Sequence, residues 1–321
     1  MQAQGRRPVV VTGVAGFIGS NLADRLLAEG YGVVGIDDLS YGVIEQVPEG
    51  VDFREFDIRS EGLERHLEGA SAIFHLAAKN CISDCQADPL DTVSINVMGT
   101  VNLFEAARRA GVRRVIYAES SAVYEGSSVF PTPEEEEAPE SFYAVSKASS
   151  RSFAEAYARY HGFETTALRY FCVYGPRQDY RRTIPPVMSA FIIKLLSGER
   201  PTIYGTGEKR RDFVYVDDVN DFHLLCLTDP RTVGRVFNLG SGESYSVREI
   251  YDLIQSELGT DLDPHYEPDL PGEAWETRAD IGAARALGWE PRVGIREGLR
   301  HSITYIREHL FDGGIVPAGG G

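Results

Sequence analysis

The chain has 321 residues, 43% hydrophobic and 25% charged, an ordinary globular composition for one large domain or two intimate ones. It can bury a substantial core, which excludes a collagen, a wholly disordered chain and a disulfide mini-scaffold. With 32 basic against 48 acidic residues the formal charge is −16, a field that repels phosphate backbones and argues against a nucleic-acid partner, though not against a small anion held by local arginines.

Residues 8–12 form a β-branched run, followed by glycines and a helix in which Ile18, Leu22, Leu26 and Leu27 share a face and Gly30 closes the end. Apolar strands are predicted at 33–37, 51–56, 72–76, 114–119 and 165–171, with long helices at 91–110 and 142–160. Such alternation implies a parallel sheet buried on both faces. Right-handed crossovers make it a doubly wound α/β (Rossmann) sheet, with ligands beyond the carboxyl ends of the strands. The acidic run 134–137 reads as a solvated loop. After residue 172 the strict alternation stops. Pro185 and Pro186 open a helix to about Gly198, strand patterns lie at 201–205 and 211–216, Ser246 and Glu249 form a capping box, and Asp280 and Gly288 bracket a short helix. The expected division is a nucleotide-binding domain over 1–172 with returns near 212–243. A smaller α+β substrate lobe follows over 173–211 and 244–311, then a Gly-rich disordered tail over 312–321.

Cys81, Cys85, Cys172 and Cys226 are scattered and match no zinc spacing, so neither a disulfide framework nor a metal site is expected. No apolar run approaches the roughly 18 residues of a membrane span, and no signal-peptide core opens the chain. A soluble cytoplasmic protein is expected.

Gly13, Gly16 and Gly19 sit between the first strand and helix as G-x-x-G-x-x-G. Glycines there permit a tight turn and close approach to a pyrophosphate, which a helix N-terminus attracts. Asp37 ends the second strand, where a carboxylate accepts both ribose hydroxyls of an adenosine and repels the 2′-phosphate of NADP; a turn cap is the other reading. The neighbouring Asp38 does not weaken that preference for NAD. Asp57 and Ile58 fit either an adenine-edge contact or an ordinary strand-end turn. Tyr143 and Lys147, four apart, share a helix face. A tyrosine acting as a base near neutrality needs its reference pKa of about 10 lowered by roughly three units, or about 4 kcal/mol. A nearby ammonium and a cationic nicotinamide ring supply that in a partly desolvated cleft. Ser120 and Ser121 follow the fifth strand, where a hydroxyl can relay a proton. Alone, a Tyr-x-x-x-Lys pair is more often a solvated helix face; the order of all these features is what points to a site.

The segments TGVAGFIGSNL, GIDDLS, HLAA, SSAVYEG, YAVSK, RYFCVYGPRQ, RRDFVYVDDV, FNLGSG and LGW run in order along nearly the whole chain. With them the chain resembles the extended short-chain dehydrogenases/reductases, in the NAD-dependent nucleotide-sugar epimerase/dehydratase branch, and within it the UDP-sugar 4-epimerases. The resemblance implies NAD held by Gly13, Gly16, Phe17, Ile18 and Gly19 at the pyrophosphate and by Asp37 at the ribose, with Asp38, Ser40, Asp57, Ile58, Tyr143 and Lys147 also at the cofactor. Leu76, Ala77 and Ala78 would form a wall, and Tyr170 and Val173 would pack near the nicotinamide. Ser120, Tyr143 and Lys147 take the places of the catalytic residues. Lys79, Ser121, Cys172, Arg182, Tyr204 and Arg211 fall at the substrate, Arg211 on its diphosphate; for Lys79 exposure to solvent is the alternative.

Dehydratases of this family carry Asp-Glu after the strand-end Ser or Thr, where this chain has Ser121 and Ala122. The resemblance therefore implies C4 epimerisation of UDP-glucose, UDP-N-acetylglucosamine or UDP-glucuronate through a 4-keto sugar. A UDP-glucuronate decarboxylase or nucleotide-sugar dehydrogenase is the alternative, and a non-enzymatic NAD-sensing regulator a third reading. Many members have Asn in place of Cys172 and Arg in place of Leu270. Arg181 and Arg182 read either a substrate carboxylate or a solvated basic turn. Members pair as homodimers through the helices near 91–110 and 142–161.

Overall fold

A computed structural model describes residues 7–181, 185–269 and 274–312. Arg182, Leu270 and the tail from 313 onward lie outside the described residues. In chain order the strands are β1 (Val9–Thr12), β2 (Val33–Asp37), β3 (Asp52–Glu55), β4 (Ala72–His75), β5 (Arg114–Ser120), β6 (Glu164–Tyr170), β7 (Cys172–Tyr174), β8 (Thr202–Tyr204), β9 (Arg210–Arg211), β10 (Phe213–Tyr215), β11 (Arg235–Leu239), β12 (Tyr245–Ser246) and β13 (His265–Glu267). Seven of them form one sheet in the order β11-β6-β5-β4-β1-β2-β3, all neighbours parallel. This is the expected doubly wound arrangement.

Alternation along the strands divides the core in two. Val9, Val11, Phe74 and Ile116 pack on one face with Leu22 and Leu26 of the Phe17–Ala28 helix and Phe222 of the Val216–Thr228 helix. Val10, Ile73, Val115 and Tyr117 pack on the other, with Leu103, Phe104 and Ala154 from the Gly99–Ala110 and Phe142–His161 helices. Successive strand residues serve opposite faces, as a sheet covered on both sides requires.

Several expectations are corrected. The third strand is shorter than 51–56 and none of its residues is fully buried, because it is the sheet edge. The helix over 91–110 begins at Pro89, capped by Asp88, and winds as a π-helix over Val93–Met98 before Gly99–Ala110. The single strand over 211–216 breaks at Asp212, whose buried carboxylate collects N–H groups from Ser241, Gly242 and Ala279. Val216 then opens a helix instead of ending a strand. Residues 134–137 are not simply solvated. Glu137 pairs with Arg169 and Arg151, and Glu134 accepts the Asn238 N–H at 3.0 Å.

In the smaller α+β lobe, β8 pairs with β13 and β9 with β12, and the Val187–Leu196, Val247–Leu258 and Ile295–Ile306 helices pack together. The Ser246/Glu249 capping box forms as expected. Among the described residues no helix is long and apolar enough to cross a membrane.

Candidate active site

A cleft of about 820 Å³ opens beyond the carboxyl ends of the central strands. Its wall contains every site residue expected from the sequence except Arg182.

The cradle at its base is built by absence of side chains. Gly13 has φ +72°, and a Cβ there would stand 2.7 Å from the Ala77 nitrogen. A Cβ on Gly19 would stand 2.1 Å from the Gly13 oxygen. The loop after β1 can therefore lie against the end of β4 and against its own helix only with these two glycines. Gly16 opens the helix with no side-chain cap, leaving the first helical N–H groups for an anion. A pyrophosphate fits such a cradle.

Asp37 is buried and joins both readings made of it. Its two oxygens accept the Ala15 and Leu39 N–H groups at 3.0 and 2.9 Å, so it does cap a turn. Each oxygen keeps a further lone pair for a ribose hydroxyl. Burial raises its pKa, and the two N–H groups oppose this. Asp38 is exposed and accepts from the Ser40 N–H at 3.0 Å and from the Ser40 hydroxyl. Asp57 is gripped by Arg59 at 2.7 and 2.9 Å, which lowers its pKa. The turn reading of Asp57 thus has a partner on display.

Ser120 ends β5, its Oγ accepting the Ala122 N–H at 3.2 Å. Tyr143 and Lys147 lie in the first turns of the Phe142–His161 helix, which Ser141 caps through the Ala144 N–H. Tyr143 is half-buried, whereas Lys147 is 6% exposed, its Nζ donating to the Ala118 oxygen at 2.9 Å. The solvated-face reading of this pair is overturned. Burial draws the Lys147 ammonium down to about 8, with the Glu119 carboxylate pulling the other way.

A buried polar chain fastens this helix to the cleft wall. Asn96, in the π-wound turn, bonds the Lys79 N–H and oxygen at 2.8 and 2.9 Å and the Ser146 hydroxyl at 2.9 Å. Ser146 in turn donates to the Tyr143 oxygen. Tyr170 is locked by its hydroxyl to His223 Nε2 at 2.7 Å, so its ring rather than its phenol is offered to the cleft.

On the substrate side, Lys79 is not solvent-facing: it is 5% exposed, with its Nζ 2.9 Å from Asp91. Cys172 is held in β7 by its N–H to the Asp212 oxygen at 2.9 Å. Tyr204 on β8 is 39% exposed at the cleft. Arg211 on β9 donates to the Arg210 oxygen at 2.8 Å. Arg181 pairs with Asp179 in an exposed turn. Sequence reasoning missed Glu119, Asn96 and Lys209. Lys209 is 8% exposed in the cleft wall and 2.5 Å from Asp269. Only the adjacency of Glu119 to Ser120 was a signal.

Fold and cleft define a doubly wound α/β protein with a buried lysine one turn beyond a tyrosine, above a nucleotide cradle. The family profile for the NAD dependent epimerase/dehydratase family matches residues 9–240. The UDP-glucose 4-epimerase of Mycolicibacterium smegmatis is 37% identical over 308 residues, 93% of this chain and 98% of that protein. The crystal structure of Thermotoga maritima UDP-glucose 4-epimerase with UDP-glucose superposes with a TM-score of 0.91 at 36% identity, over 94% of this chain and 99% of that one. The UDP-glucose 4-epimerase of Thermus thermophilus in complex with NAD does so at 0.86 and 33%, over 94% and 99%. The chain belongs to the NAD dependent epimerase/dehydratase family.

Proposed function

We propose that this protein is an NAD-dependent 4-epimerase of a UDP-sugar: UDP-glucose, UDP-N-acetylglucosamine or UDP-glucuronate. One observation carries the reading. Ser120, Tyr143 and Lys147 share a cleft with the glycine cradle, and the two carboxylates nearest Ser120 in the chain, Glu119 and Glu125, are each held by another residue. Glu119 is paired with Arg169, and Glu125 accepts the N–H and hydroxyl of Ser141. This arrangement supports proton transfer at a carbinol over an elimination.

The Gly13–Gly19 loop would hold the pyrophosphate of NAD, Asp37 its adenosine ribose, and Leu76, Ala77, Ala78, Tyr170 and Val173 its nicotinamide end. Bound NAD supplies a reversible hydride acceptor at the sugar C4. Tyr143 removes the proton of the C4 hydroxyl, with Ser120 as relay. Lys147, fixed on the Ala118 carbonyl, provides the positive charge that favours a phenolate. Tyr143 returns the proton after the 4-keto sugar has rotated, inverting C4 without net redox change. Arg211 binds the diphosphate locally, which a net charge of −16 does not prevent.

Incubating the protein with each UDP-sugar and resolving the products by chromatography is expected to show a C4-inverted product from at least one. Tyr143→Phe is expected to lower turnover by about 10²–10⁴-fold while NAD is retained. Released carbon dioxide or accumulating NADH, with no inverted sugar, would assign a decarboxylase or dehydrogenase instead.

We further propose a homodimer in the cytoplasm. Leu90, Val93, Met98, Phe142 and Val145 are exposed on neighbouring helices, an apolar surface suited to a second copy. The four cysteines are free, as a reducing compartment favours.

A further inference from the structure

Glu119 takes no part in the chemistry above, yet it precedes Ser120 directly and lines the same cleft. It is 1% exposed. Its Oε2 accepts from Arg169 Nε at 2.7 Å, both side chains being fully buried. Its Oε1 is buried without a hydrogen-bond partner among the described residues. Half of a buried carboxylate left unmatched is costly, and the ion pair with Arg169 does not account for it. The carbonyl that anchors Lys147 Nζ belongs to Ala118 and is bonded to the Glu119 nitrogen. Alternation along β5 puts Glu119 on the face of Tyr117, beneath the helix that carries Tyr143 and Lys147.

We infer that Glu119 is a positioning residue for the proton-transfer pair: its buried charge holds Lys147 as an ammonium and sets the pH range over which Tyr143 and Lys147 work. The inference rests on the reaction proposed above. Other groups around Lys147 do not replace Glu119. From β4, His75 is held neutral by burial between Thr12 and Thr100. From the Ile82–Ala87 helix, burial keeps the Cys85 thiol protonated. On its own helix Arg151 is engaged by Glu137 and Glu155, and from β6 Arg169 is engaged by Glu119 and Glu137. Burial works against the ammonium, and Glu119 is the largest opposing charge.

Removing that charge disfavours the fully protonated Tyr/Lys pair and favours the fully deprotonated one, leaving the one-proton pair nearly unchanged. Both macroscopic steps then move to lower pH. The test is the pH profile of kcat for the holoenzyme, for Glu119→Gln and for Glu119→Gln/Arg169→Gln. The double variant removes the buried pair together, so no unpaired buried cation threatens folding. The bell is expected to move to lower pH by about one unit in Glu119→Gln and by less in the double variant, where loss of the Arg169 cation opposes the shift, with its height kept within about tenfold in both. Folded variants whose bells coincide in pH with that of the parent would overturn the inference. Phenolate absorbance, read as the difference from the matching Tyr143→Phe protein, is expected to titrate at lower pH too. That optical titration needs no turnover. If the parent acts on no UDP-sugar, the proposed reaction fails, while a phenolate titration unmoved by Glu119→Gln separately refutes the role of Glu119.

Discussion

His75 lies between the Thr12 and Thr100 hydroxyls, and His223 between Tyr170 and Asn220, with no carboxylate partner for either among the described residues. Burial draws each down to about 3. An unfolded histidine titrates near 6.5, so on acidification the unfolded chain takes up protons first. The stability these residues allow is present above about pH 6.5 and is lost as pH falls toward 3. Urea unfolding is expected to lose about 1 kcal/mol per histidine between about pH 7 and about pH 5.5. Gly19 presents a steric case. A Cβ there meets a backbone oxygen at 2.1 Å, whereas one on Gly16 meets the same oxygen at 3.3 Å. Gly19→Ala is therefore expected to cost about 1–3 kcal/mol and to abolish NAD⁺ binding in a calorimetric titration, with Gly16→Ala milder in both.

Among the elements, the helix running from Pro89 to Ala110 does two tasks. Its π-wound turn places Asn96 against Lys79 and Ser146, and single π turns often mark functional sites. Its outward side leaves Leu90 85% and Met98 63% exposed, beside Val145 at 47% on the next helix. Introducing charge on this surface tests the proposed dimer without touching the cleft wall, since none of the three residues lines it. Leu90→Asp/Val145→Asp is expected to sediment as a monomer where the parent sediments as a dimer.

Across the whole molecule, Asp212 ties the lobe to the sheet. It is fully buried between β9 and β10. Besides three backbone N–H groups, from Ser241, Gly242 and Ala279, it accepts the Ser241 hydroxyl. Removing it strands four donors at once. Asp212→Ala is expected to cost about 3 kcal/mol or more, read as a lowered thermal midpoint.

By itself the amino-acid sequence determined the parts whose chemistry is local. The strand–helix alternation follows from periods of 2 and 3.6. The Gly13, Gly16 and Gly19 spacing, the acidic end of β2 and the four-residue step from Tyr143 to Lys147 are visible within short windows. Tertiary structure alone decided which charges are buried and what they meet. Arg169 reaches Glu119 across 50 positions, and Asp212 collects its donors from 29 to 67 positions away. Which apolar helix residues face outward was likewise undecided by periodicity, because both sides of those helices carry them. Burial, and with it desolvation and pairing, belongs to the packed chain rather than to any segment of it.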